Sequence, residues 1–108
     1  MTTFDKRKDA FESKFAHDAE LQFKAGARRN KLLGLWAAGL LGKSGADADA
    51  YAREVVAADF EKAGDEDVFE KVRKDFDAAG VAQSDHQLRR TMDDLTQTAI
   101  EQIRTETT

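Results

Sequence analysis

The hydrophobic positions of this chain recur with a helical period almost from end to end. The longest such stretch is Phe15 to Leu41. Its spacing Phe15, Ala19, Phe23, Ala27 is a strict i, i+4 row that hands over to Leu32, Leu33, Trp36, Leu40 and Leu41. No proline interrupts it, so the pattern predicts one helix of about 40 Å, longer than a small domain needs for itself. Leu41 to Gly45 ends it, with Gly42 or Gly45 suited to positive φ and Ser44 offered as the next N-cap with Asp47 as its partner. A second helix is predicted over 46–62, with apolar face Tyr51, Ala52, Val55, Val56 and Phe60, stopped by Gly64. Asp65 caps a third, whose buried face is Val68, Phe69, Val72 and Phe76 and which Gly80 ends. Ser84 and Gln87 form a capping box for a fourth. Its seam is Leu88, Met92, Leu95, Ala99 and Ile103. The expected fold is all-α: a small antiparallel four-helix bundle with a long first helix.

The first 20 residues read differently. They are dense in charge, yet Phe4, Phe11 and Phe15 fall at i, i+7, i+11 on one helical face. A thin aromatic stripe among charges suits a helix that enters a groove on a partner; the alternative is a segment docked on its own bundle. The expected organisation is therefore a mobile amphipathic arm, 1–20, and a bundle domain, 21–108. Gly26, inside the long helix, costs about 1 kcal/mol against Ala and loosens the junction of the two.

Composition narrows the function. A chain of 108 residues is one domain by size, and without cysteine it has neither disulfides nor thiolate chemistry. No apolar run approaches the roughly 20 residues needed to span a membrane, and the start lacks a secretory h-region. This favours a cytoplasmic protein with no membrane insertion. The net charge of −4 conceals an asymmetry: residues 1–42 carry eight basic and five acidic groups, whereas 43–82 carry six and eleven. A basic first helix can lie on acidic later ones, and the acidic total argues against a nucleic-acid partner.

Few signals suggest chemistry. Gly42-Lys43-Ser44 closes a loose phosphate-loop pattern that lacks its first glycine and its preceding strand. A hydrolytic loop is not expected there, although Lys43 and the amides opening the next helix offer a weak contact for ADP or ATP. Asp47-Ala48-Asp49 and Asp65-Glu66-Asp67 fail the calcium-loop pattern at its glycine and final glutamate. Two separated histidines, His17 and His86, make no metal site. No catalytic residues and no cofactor are expected.

The runs FAHDAELQFKA and ARRNKLLGLWAAGLLG, with YAREVVAADFEKAGDEDVFEKVRKDF and SDHQLRR, resemble the alphaproteobacterial family of small F1-ATPase inhibitor subunits called zeta, over about Phe4 to Met92. The resemblance implies a regulator, not an enzyme, whose arm enters an α/β catalytic interface of F1-ATPase and blocks rotation of γ in the hydrolytic direction. Phe4, Phe11 and Phe15 would be its anchors, and Lys6, Arg7, Lys8 and Lys14 would meet acidic or nucleotide-bearing surfaces at the rim. Such a protein is expected to be monomeric when free and to sit at the inner membrane through F1. The alternatives from the residues alone are a nucleotide-binding sensor or an interaction protein without inhibitory activity.

Overall fold

The computed structural model describes residues 19–59 and 65–107. These form four α-helices: α1, Ala19–Leu40; α2, Gly45–Ala58; α3, Glu66–Ala79; and α4, Asp85–Thr107. Predicted arm residues 1–18 and the Phe60–Gly64 stretch lie outside the described residues. So does the expected start of α1 at Phe15.

Helix α1 is the element on which the others assemble. It packs most extensively on α2 and next on α4, and touches α3 as well. The core gathers Leu33, Ala37 and Ala38 of α1 with Tyr51 and Val55 of α2. Val68, Phe69, Val72 and Phe76 of α3 and Leu88 and Met92 of α4 complete it. A smaller cluster, Ala25 with Ile103, ties the early turns of α1 to the end of α4. Trp36 stands at the edge of the core, half-buried, with its ring 5.7 Å from that of Phe76 in a T-shaped pair.

The helix ends follow local chemistry only in part. Ser84 and Gln87 make the predicted capping box: Gln87 N–H donates to Ser84 Oγ at 3.1 Å, and Ser84 N–H to Gln87 Oε1 at 2.8 Å. Gly42 and Gly80 take positive φ, 78° and 70°, where a β-carbon would be strained. Ser44 and Asp65 occupy N-cap positions, but neither side chain makes a capping hydrogen bond. The Asp65 carboxylate is engaged by Arg29 instead.

Two glycines inside α1 have opposite surroundings. A β-carbon at Gly34 would lie 2.5 Å from Ala52 Cα, so α1 and α2 cross there at a separation only glycine permits. A β-carbon at Gly26 would meet nothing within 4 Å. Gly26→Ala should therefore gain the helix propensity without a steric cost. We expect stabilisation of about 0.5–1 kcal/mol, read as a raised midpoint in urea with an unchanged slope.

Candidate partner-binding surfaces

The long apolar row of the sequence defines the buried face of α1 only in part: Leu33 is fully buried and Trp36 and Leu41 pack against the core. Phe23 is 66% exposed and Leu40 42% exposed. The buried face is the row Ala25, Arg29, Leu33, Ala37, flanked by Asn30 and Ala38. The i, i+4 row drifts around the helix, so Leu33 of the predicted face is inside while Phe23, earlier on the helix, is outside. Two polar side chains share this face: Arg29 and Asn30 are buried, at 5% and 0% exposure.

Burying Arg29 requires partners, since an unpaired buried charge is costly. Its Nε donates to Asn30 Oδ1 at 2.6 Å, its Nη1 to Thr96 Oγ1 at 3.3 Å, and its Nη2 to Asp65 Oδ1 at 2.8 Å. One side chain of α1 thereby fixes α4 and the start of α3. Arg28 reaches the end of α4, donating to Gln102 Oε1 at 2.8 Å and pairing with Glu106 at 2.8 Å. That contact raises the Arg28 pKa and lowers that of the exposed Glu106. The expected pairing of a basic first helix with acidic later helices is thus found at these two arginines. Asp65, at the start of α3, supplies one acid, and Glu106 of α4 supplies the other.

On the other side of the bundle, Tyr51 Oη donates to Asp75 Oδ2 at 2.8 Å, and Lys71 pairs with Asp75 at 2.9 Å. Burial first, then the bond to Asp75, drives the Tyr51 pKa well above its ordinary value, so its hydroxyl stays protonated. Lys71 Nζ also lies 5.3 Å from the centre of the Tyr51 ring. The group is a bridge between α2 and α3.

Of the predicted contact residues, Phe4, Lys6, Arg7, Lys8, Phe11, Lys14 and Phe15 lie outside the described residues. Gly42, Lys43 and Ser44 come together at one exposed turn between α1 and α2. Lys43 Nζ stands 6.0 Å from the centre of the Tyr51 ring. The segment entering this turn is helical, so the strand-to-loop geometry of a phosphate-binding loop is not present there. His86 is exposed, and among the described residues no group of three metal-ligating side chains gathers. Among them, too, no helix is long and apolar enough to cross a membrane.

The sequence missed the exposed Phe23. It lies on the same face as Lys31, Val56 of α2 and Ile103 of α4, around an open groove of about 500 Å³. Its i, i+4 row with Ala19 and Ala27 looked like a core stripe because Ala occupies nearly every other face of the helix too. The cations gave no usable signal either, since Lys24 and Lys31 lie beside that row but Arg29 lies within the buried one.

Comparison with known proteins agrees with this architecture. The family description ATPase inhibitor subunit zeta matches residues 1–102. Among solved structures, the chain is similar to a protein determined by solution NMR, 51% identical, with a TM-score of 0.71. That match covers 80% of this chain and 98% of the other. Comparison with curated proteins found no match. The family match spans the N-terminal segment, the first three helices and most of α4, and the fold is shared with a half-identical structure: this chain belongs to the ATPase inhibitor subunit zeta family.

Proposed function

We propose that the protein binds F1-ATPase and inhibits ATP hydrolysis by inserting residues 1–20 at a catalytic interface between an α and a β subunit, against γ. The observation that carries this reading is the family match beginning at residue 1, which takes in the aromatic stripe Phe4, Phe11 and Phe15. The bundle is the anchor, and its described core begins only at Ala25. The arm spends its binding energy on burying three aromatic rings, each worth about 1.5–3 kcal/mol on full burial. Lys6, Arg7, Lys8 and Lys14 meet acidic or nucleotide-bearing surfaces at the rim and steer approach. The protein works as a regulatory subunit held at the membrane periphery by F1.

Substituting the anchors tests this. Truncating a central aromatic of an interface costs about 2 kcal/mol or more, which is a factor of ten or more in affinity. Phe11→Ala and Phe15→Ala should each raise the concentration giving half-inhibition of purified alphaproteobacterial F1-ATPase by at least about tenfold. Unchanged inhibition curves in both variants would remove the arm as the inhibitory element.

A further inference from the structure

We infer that the groove beside Phe23 is a second docking surface, and that its occupant is an acidic amphipathic helix on F1. This deepens the functional proposal above and rests on it. Three observations carry it.

The first is the exposed aromatic. Phe23 is 66% exposed, in a protein whose other described phenylalanines, Phe69 and Phe76, are buried. Its groove has an apolar floor in Ala27, Val56 and Ile103. A second open groove, floored by Ala52, Val56 and Ala57, adjoins it through the shared residues Lys31 and Val56. Together they make an apolar channel between α1 and α2, bounded at one end by α4.

The second is charge. Lys24, Arg28, Lys31 and Arg53 line the two grooves, against Asp49 and Glu106: four cations to two carboxylates, a local balance of +2. Glu106 is already paired with Arg28. Lys31 and Arg53 make no ion pair among the described residues and flank Val56 from opposite helices. This basic channel stands on a chain of net charge −4, so its sign is local and opposite to the whole. An apolar floor between basic rims fits a helix with an apolar stripe between acidic flanks.

The third is continuity with the arm. Between Met1 and Ala25 there is no glycine or proline, the residues that most readily allow a tight reverse turn. Phe15 and Phe23 are eight residues apart, in register for one helical face. In the proposed complex, a helix continued through this register would carry contact with F1 from the arm onto the bundle.

The experiment compares full-length wild type, Phe23→Ser, and the double variant Lys31→Glu with Arg53→Glu. Each is measured for binding to immobilised F1, for inhibition of ATP hydrolysis, and for melting temperature. All three positions are exposed, so melting should stay within a few degrees of wild type. We expect about tenfold weaker binding for Phe23→Ser. For the charge-reversed pair we expect about tenfold weaker binding, carried mainly by slower association and by a flatter dependence on salt. Wild-type affinity for F1 in both variants overturns the inference while leaving the arm proposal intact. Wild-type affinity together with a lowered melting temperature overturns it too, and makes the groove part of the bundle's own packing. Loss of binding in the variants when wild type binds but does not inhibit upholds the docking surface and sinks the inhibitory arm. Failure of wild type to bind F1 at all overturns both.

Discussion

Replacing Gly34 with alanine should destabilise the protein by about 2 kcal/mol, although alanine is the better helix former. The propensity gain is about 1 kcal/mol. Against it stands a new methyl 2.5 Å from Ala52 Cα and 3.1 Å from its Cβ. Because the nearest atom is backbone, no rotamer change can relieve the clash, and α1 must move away from α2. That crossing lies in the middle of the most extensive helix pair of the fold, next to Leu33 and Val55, both fully buried. Separation there loosens a packed interior, and overpacking of this kind costs typically 1–3 kcal/mol before lost contacts are added. For a domain of this size, a net loss of about 2 kcal/mol lowers the melting temperature by roughly 10 °C. Ala52→Gly should rescue Gly34→Ala only in part, since it removes the residue 52 methyl and leaves the clash with the α2 backbone. A Gly34→Ala protein that melts at or above wild type would refute the close crossing. Gly26→Ala, eight residues earlier on the same helix, supplies the control of opposite sign.

That pair of glycines shows where sequence reading succeeds and where it stops. On α3 the face Val68, Phe69, Val72, Phe76 was legible because charged side chains fill the positions between. On α4 the seam from Leu88 to Ile103 was legible for the same reason, with Leu95 half-buried at its edge. Each of these helices buries one stripe. Helix α1 touches all three others, and its sequence is rich in alanine, leucine and glycine on every side. Periodicity then fixes that it is a helix but not which way it faces. Hence Phe23 and Leu40 proved exposed, and Arg29 and Asn30 buried. The burial of Arg29 depends on Asp65 and Thr96, which lie 36 and 67 residues away. No local pattern encodes a partner at that distance. The same long-range pairing explains why Asp65, an ideal N-cap residue by type, gives its carboxylate to an arginine instead.

The family was legible because its marks are runs of residues rather than a periodicity. The runs around Arg28 to Gly42 are also the ones that position the bundle: Arg28 and Arg29 lock α4 and the start of α3, and Gly34 admits α2. None of these interactions involves residues 1–18, so on the proposed reading anchoring and inhibition are separable properties of one chain.

Deleting residues 1–20 should therefore abolish inhibition of F1-ATPase while the remaining bundle keeps its cooperative melting. The deletion removes none of the buried side chains of the described core, the earliest of which is Ala25. The Arg29 network and the α1–α2 crossing also lie wholly beyond it. The early turns of α1 will fray, so a loss of a few degrees in melting temperature is expected, since helix ends held by few neighbours add little to stability. The functional loss should be far larger. All three proposed anchors, Phe4, Phe11 and Phe15, go together, and hot spots of about 2 kcal/mol each remove well over a hundredfold in affinity for the catalytic interface. Residual binding through the Phe23 groove should survive, weakened but measurable on immobilised F1. A truncated protein that inhibits as strongly as the full chain would assign inhibition to the bundle. A truncated protein that binds without inhibiting would establish the division between wedge and anchor. Binding by neither form would mean that membership of this family does not bring F1 affinity with it, and that the arm and the groove serve some other partner.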